Sequence, residues 1–361
     1  MEEKGKKGRI DYTLLLIVVL LVVIGLVILY STSAYNGQVK FHDSFYYLKK
    51  QAFATVLGIV LMLFVAGMDY HIWQRLAVFG YLAAVALSVA VMLFGREING
   101  SKRWLALGPF SFQPSEFAKV ALILFLADLV TKNVKTIGKM WTLCRIMFWI
   151  LPIVGLVGAS NLSTAIIILG IGVILIFVAS PKYAQFAMMG IAGACFMGIF
   201  RALESYRLER LAIWRKPEKY EKGYQTLQGL YAIGSGGVFG VGIGNSVQKL
   251  GFVPEAQNDM IFSIICEELG LAGAGIIVFL FLLLIWRFFL IASGSRDLFG
   301  ALIATGAMAH MMIQVILNIA VVTNTIPNTG ITLPFISYGG TSVMFLLIEM
   351  GLVLSVSQVV D

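Results

Sequence analysis

The sequence predicts an all-α polytopic membrane protein of about ten transmembrane helices, with a large extracytoplasmic loop between spans seven and eight. Three observations carry this. Of 361 residues, 59% are hydrophobic and 13% charged, and the mean hydropathy is +0.89, which excludes a soluble globular domain. Apolar runs of about 20 residues, enough to cross a bilayer core, recur along the chain. Cys144, Cys195 and Cys266 all lie in apolar runs, so no disulfide framework or zinc pattern organises the polar loops.

Spans are expected at roughly 12–31, 51–69, 73–95, 115–131, 143–160, 162–180, 183–202, 260–287, 298–322 and 341–359. The apolar run 14–30 is long for a signal-peptide core, and it reads as an uncleaved first span. Lys4, Lys6, Lys7 and Arg9 argue for a cytoplasmic amino terminus. An even number of spans then returns the carboxyl terminus to the same side. The short loop 132–142, with Lys132, Lys135 and Lys139, faces inward, and segments 32–50, 96–114, 203–259 and 323–340 face outward. The chain is thus one integral-membrane domain, 1–361, with a cytoplasmic tail at 1–11 and its main outer loop at 203–259.

The outer segments carry more Lys and Arg in total than the inner ones, at lower density, and the charge rule is weak for long loops. Arg103, Lys119, Arg201, Arg207, Arg210, Arg215, Lys216, Lys219, Lys222 and Lys249 form an outward basic surface. It suits an anionic membrane-embedded ligand such as a lipid diphosphate. Across 203–222 an ordinary solvated loop, interspersed with Glu204, Glu209, Glu218 and Glu221, is the alternative. Nucleic acid is not an expected partner.

Segment 251–270, GFVPEAQNDMIFSIICEELG, places Glu255, Asp259, Glu267 and Glu268 where a polar loop becomes an apolar helix. Pro254 bars a helix through the residue before it. Asp259 therefore falls near a first helical turn, among unpaired backbone N–H groups. It could be an N-cap, but three further acids on one segment exceed what capping needs. Segment 99–119, NGSKRWLALGPFSFQPSEFAK, is a Gly/Pro-punctuated loop feeding span four, with Trp104 as an interfacial aromatic. Pro114, Ser115 and Glu116 make a helix start, and Glu116 and Lys119 share one face at i, i+3. A local ion pair would explain them. So would function, since ionisable groups cost about 2.5–3.5 kcal/mol at mid-membrane. Asp128, later on that helix, could snorkel towards the inner interface.

Asn161, Ser163 and Thr164 suit the tight turn between spans five and six. The run Gly229, Gly234, Gly236, Gly237, Gly240, Gly242 and Gly244 lacks the Lys-Ser/Thr and the strand–helix frame of a nucleotide loop. It reads better as a closely packed, partly re-entrant segment. His310, Gln314 and Asn318 form a polar stripe at i, i+4 steps, suited to interhelical hydrogen bonding or to catalysis. Segment 324–342, NTIPNTGITLPFISYGGTS, is irregular backbone that must be buried in protein or line a polar cavity. Glu349 beyond it needs a partner.

In this order and spacing GSKRW, QPSEFAK, GNSVQKL, VPEAQNDMIFSIICEELG and LPFISYGGTS resemble the SEDS family (FtsW, RodA and SpoVE), and GNSVQKL leans towards the FtsW/SpoVE branch. The resemblance covers nearly the whole chain. One departure is SNLSTA at 160–165, where many members carry a Pro-Asp-containing motif, so no role for that acid transfers. The resemblance implies a peptidoglycan glycosyltransferase that polymerises lipid II at the outer face of the plasma membrane, for division, elongation or sporulation. It implies a class B penicillin-binding protein as transpeptidase partner. It also implies Asp259 as the catalytic residue, with Glu116 and Lys119 functionally important. Lys102, Arg103, Trp104, Gln113, Ser115, Asn245, Gln248, Lys249, Glu255, Ser337 and Tyr338 are expected at the substrate.

Segment 203–259 is too small for a nucleotide-sugar domain, so the donor must be lipid-linked. Inverting transfer needs a base for the acceptor hydroxyl and charge stabilisation for the departing diphosphate. Asp259 would be the base towards the GlcNAc 4-hydroxyl, and Arg103 and Lys119 would hold diphosphate. Glu116 would orient Lys119 or help bind a divalent cation, Mg or Mn. A lipid II flippase is the other reading, because broken helices and intramembrane acids also mark transporters. Against it, no inverted repeat is evident, and the acids cluster towards the outer leaflet.

Overall fold

The computed structural model describes residues 10–98, 101–107, 110–180 and 212–359, with the isolated positions 182 and 186. The expected seventh span lies outside the described residues apart from Phe186, as do Cys195, Arg201, Arg207 and Arg210. The helices are α1 (Tyr12–Phe41), α2 (Tyr46–Gly67), α3 (His71–Phe94), α4 (Pro114–Asn133), α5 (Met140–Ser160) and α6 (Leu162–Ala179). There follow α7 (Tyr224–Ser235), α8 (Ile261–Gly294), α9 (Leu298–Val322) and α10 (Gly340–Ser357). Three strands, β1 (Arg96–Ile98), β2 (Ser101–Leu107) and β3 (Phe110–Phe112), lie between α3 and α4.

Eight of these helices are long and apolar enough to cross a membrane: α1, α2, α3, α5, α6, α8, α9 and α10. The chain is an all-helical polytopic membrane protein. Helix α4 is 20 residues long but more polar, for a reason visible in its packing. It is buried among α3, α6, α9 and α10, so its charges face protein partners instead of lipid. Asp128 does not snorkel. It is buried and accepts from Gln74 Nε2 at 3.0 Å and Lys132 Nζ at 2.6 Å.

Helix α1 begins where Asp11 Oδ1 accepts from Leu14 N at 2.9 Å, an ordinary N-cap. It runs past the expected end at residue 31 to Phe41, so most of the expected loop 32–50 is helix. Asp11 also pairs with Arg287 of α8, and its N–H donates to Ser357 Oγ of α10 at 3.2 Å. That one end of the bundle is thereby tied across three helices.

Two features depart from a plain bundle. The outer loop 96–114 is a three-stranded antiparallel sheet in the order β1-β2-β3, pairing Arg96 with Trp104 and Leu105 with Phe112. Its strands are too short for their alternation to stand out beside the Gly and Pro residues. The second feature is the glycine-rich segment after α7, which docks on an interruption in α8. At Gly270 the backbone turns to φ 67°, which a residue with a Cβ rarely adopts. The carbonyls of Glu267 and Glu268 accept from Val241 N and Gly242 N, and Leu271 N and Ala272 N donate to the carbonyls of Gly237 and Val238, each at 2.9 Å. Backbone groups freed by the break are satisfied by the loop, as a low-dielectric setting demands. This bears out the close packing expected of the segment.

The approach leaves no room for side chains: a Cβ on Gly240 would lie 2.2 Å from Glu268 O, and one on Gly270 2.3 Å from Gly240 N. Gly270→Ala adds backbone strain of order 1–3 kcal/mol to that clash. It is expected to lower the melting temperature in detergent and open residues 236–250 to protease. An alanine variant with unchanged melting and cleavage would contradict the docking.

Candidate active site

Two polar clusters meet on α9. The first surrounds Asp259. Helix α8 starts at Ile261 with Met260 at the cap position and no side-chain cap bond, so Asp259 does not cap the helix. It sits in the preceding turn, half-buried. Its Oδ1 lies 3.5 Å from Gln225 Nε2 of α7, and Gly330 packs beside Oδ2. Its backbone carbonyl accepts from Asn318 Nδ2 at 2.9 Å, and the same amide donates to Ile331 O at 2.7 Å. Asn318 thus clamps the turn of Asp259 against segment 323–339. Desolvation pushes the Asp259 carboxyl up to about 6, opposed by the backbone N–H groups of Asp259 and Met260 and by Gln225, while the Glu255 charge adds to the rise. Such a carboxylate is ionised at neutral pH yet basic enough to take a proton.

The second cluster is the pair Glu116–Lys119 at 3.1 Å on α4, as the i, i+3 spacing predicted. Both side chains are buried, Lys119 to 2% exposure. Ser342 Oγ donates to Glu116 Oε2 at 2.8 Å, and Lys119 Nζ donates to Gln314 Oε1 at 3.2 Å. Gln314 Nε2 donates to Thr332 O at 3.1 Å. The α9 stripe therefore joins both clusters to segment 323–339, one step by Asn318 and the other by Gln314. Its third member, His310, lies 2.8 Å from Glu349 Oε2 and gives that acid its partner.

Residues of the GSKRW and QPSEFAK motifs gather where α4 begins. Lys102 is exposed and Trp104 half-buried. Arg103 Nε donates to Ser160 O at 3.2 Å and lines a small crevice with Ser115, Ser160 and Asn161. Gln113 Nε2 donates to Ser115 Oγ at 3.1 Å. Asn161 Oδ1 accepts from Thr164 N at 3.2 Å, and Ser163 Oγ donates to Thr329 O at 2.8 Å, tying that turn to the same segment.

The outward basic surface needs correction at two positions. Lys119 is buried as described. Lys249 is 4% exposed, and its Nζ donates to Glu268 Oε1 at 2.5 Å and Ser31 Oγ at 3.0 Å. Desolvation of an ammonium in an apolar bundle demands such a partner. Glu267 accepts from Ser246 Oγ and from Val247 N at 3.1 Å, so both acids brace the glycine-rich segment. Asn245 is exposed and bonded to Val241 O, and Gln248 Oε1 is buried with no partner among the described residues. Glu255 is exposed at φ 48° and accepts from Asn258 Nδ2 at 2.9 Å. Ser337 Oγ accepts from Leu333 N at 2.8 Å, and Tyr338 N donates to Gln257 O at 2.9 Å. Gln225 and Ser31 sit among other polar residues, YQTLQ on α7 and STS on α1, and no spacing singles out either one. Ser342 closes the LPFISYGGTS motif, but its spacing does not point to Glu116.

Among the described residues Glu116, the acid expected to help bind a divalent cation, has no oxygen left over for one. Both Glu116 oxygens are engaged, by Lys119 and Ser342. Among the described residues no group of three or more His, Cys, Asp or Glu side chains is placed to hold a metal.

The family of FtsW, RodA and SpoVE, described as cell cycle proteins, matches residues 12–361. The chain belongs to the SEDS family. This SEDS protein is 39% identical over 366 residues to stage V sporulation protein E of Bacillus subtilis (strain 168), covering 98% of each chain. It is 34% identical over 359 residues to a probable peptidoglycan glycosyltransferase FtsW of Geobacter sp. (strain M18), covering 96% of each. Among solved structures, one described as "Structural coordination of polymerization and crosslinking by a peptidoglycan synthase complex" matches it with TM-score 0.84 and 30% identity, covering 96% of this chain and 97% of that one. The rod shape determining protein RodA of Thermus thermophilus matches with TM-score 0.72 and 28% identity, covering 96% of each.

Proposed function

We propose that this protein is a peptidoglycan glycosyltransferase that polymerises lipid II with inversion at the outer face of the plasma membrane. The observation that carries the reading is the desolvated carboxylate of Asp259, held by its own backbone in a turn that Asn318 and Gln314 join to the buried Glu116–Lys119 pair. Full-length similarity to a probable peptidoglycan glycosyltransferase supports it. Both termini are cytoplasmic, residues 1–361 form one integral-membrane domain, and the partner is a class B penicillin-binding protein.

Asp259 takes the proton of the acceptor 4-hydroxyl as its oxygen attacks the anomeric carbon of the donor. The bond from that carbon to the diphosphate oxygen breaks, and its electron pair leaves with the lipid diphosphate. Lys102 and Arg103, at the mouth of the α4 cluster, meet the diphosphate charge. Lys119, engaged by Glu116 and Gln314, contributes with Glu116 an oriented, net-neutral dipole beside segment 323–339. Asn245, Gln248, Glu255 and Tyr338 are assigned to substrate binding on the family resemblance. Ser337 and Lys249 hold the backbone that carries these groups.

The reading is tested with purified protein and lipid II in detergent, where no transport is possible. Glycan polymer is expected, more with the cognate transpeptidase than without. No polymer in either case would overturn the assignment in favour of lipid movement.

A further inference from the structure

The proposed chemistry leaves a buried pair deeper in the bundle without a task. His310 of α9 and Glu349 of α10 are 1% and 2% exposed and meet at 2.8 Å, Nδ1 to Oε2. The other ring nitrogen, Nε2, lies 2.8 Å from Gln314 Oε1. The orientation of that amide is forced. Its Nε2 donates to Thr332 O, and its Oε1 accepts from the Lys119 ammonium, which can only donate. Turned over, the amide would set oxygen against carbonyl and NH2 against ammonium. Oε1 is therefore an acceptor towards both neighbours, and His310 must carry a proton on Nε2.

With Nε2 committed, Nδ1 and the Glu349 carboxyl form a hydrogen bond only if one proton lies between them. It sits on Nδ1, as imidazolium beside carboxylate, or on Glu349, as acid beside a neutral ring. In either form the pair has zero net charge and Nε2 remains a donor. Glu349 Oε1 has no partner among the described residues, so the bond to His310 anchors the acid. The ionisable groups facing the pair are Lys119 through Gln314 and, behind it, Glu116.

We propose that His310 and Glu349 are positioning residues for the Glu116–Lys119 cluster. By keeping one proton between them they pin Nε2–H onto Gln314. Gln314 then holds both Lys119 Nζ and the Thr332 carbonyl of the segment that sets Gly330 against Asp259. The inference rests on the polymerase reading for its effect on turnover, but the shared proton does not.

Two measurements test it. In lipid II polymerisation, His310→Leu and Glu349→Leu are each expected to lower kcat by about 10–100-fold with KM little changed, the size of effect that slight misplacement of a site produces. Glu349→Gln can donate its amide to Nδ1 and leave Nε2 protonated, so it should keep near wild-type turnover. A Glu349→Gln variant as inactive as Glu349→Leu, or a folded His310→Leu with full turnover, overturns the proposal. The second measurement is nitrogen-15 magnetic resonance of histidine-labelled wild type. The chain has three histidines, and His42 and His71 are exposed. Those two serve as reference signals, while the third is expected to show a protonated Nε2. An unprotonated Nε2 on that residue overturns the pair. Absence of polymer from wild type would count against the proposed function alone, because the resonance is read without turnover.

Discussion

Asp259→Asn is expected to abolish polymerisation and leave the folded protein at least as stable as wild type. Asparagine keeps the shape of the turn and the backbone carbonyl that Asn318 holds, but it cannot take a proton. A positioned general base contributes about 10²–10⁴-fold, so the residual rate should fall at least about 100-fold. The stability effect follows from linkage. The folded carboxyl sits at about 6, above its ordinary 3.8, so folding favours the protonated form. Ionised Asp259 therefore costs stability, fully above about pH 6 and progressively less as the pH falls towards 3.8. Asparagine removes that cost, and the melting temperature in detergent at pH 7 should equal or exceed wild type. Wild-type kcat/KM should rise with pH through about 6 and then level. A variant that folds and still makes polymer would remove Asp259 from the chemistry.

Lys249→Met is expected to cause the largest loss of stability. The side chains of Lys249 and Glu268 are 5% and 3% exposed, so removing the ammonium strands a carboxylate inside the protein. Breaking a buried pair from one side costs about 3–5 kcal/mol. Adding Glu268→Gln should recover much of this, since a neutral amide can bond Ser31 without a counter-ion. Denaturant unfolding in detergent measures both. A loss below about 1 kcal/mol for the single variant, or no recovery in the double, would mean that water reaches the pair.

Much of this arrangement was legible in the chain. Hydropathy placed most of the spans because backbone groups in lipid must bond within a helix. The spacing of Glu116 and Lys119 gave their ion pair, and the steps from His310 to Asn318 gave a stripe that proved to be interhelical glue. What the chain did not show were contacts between distant segments. Lys249 reads as a loop cation until Glu268 and Ser31 are seen to surround it, because depth is a property of the fold. The sheet at 96–112 was hidden because three or seven residues of strand give too little alternation. Asp259 lost its capping role by one residue, since α8 begins two positions later.

The tie between Asp11 and Arg287 has a consequence for how substrate is met. Under the proposed orientation, with the amino terminus inside, it would mark the cytoplasmic rim of the hydrocarbon. A helix rises 1.5 Å per residue, so a core of about 30 Å takes about 20 residues. Counted from Asp11 up α1 this reaches Ser31, and counted from Arg287 back along α8 it reaches Glu267, beside Glu268. Ser31 and Glu268 are bonded at 2.8 Å, so α1 and α8 stay level at this end as they do at the Asp11–Arg287 end, and this level would be the outer rim. Under the same orientation the turn of Asp259 would stand about 10 Å beyond it by the same rise, at the level of the headgroups. At that height the proposed site would address sugar and diphosphate and leave the lipid tail to the bilayer as an anchor.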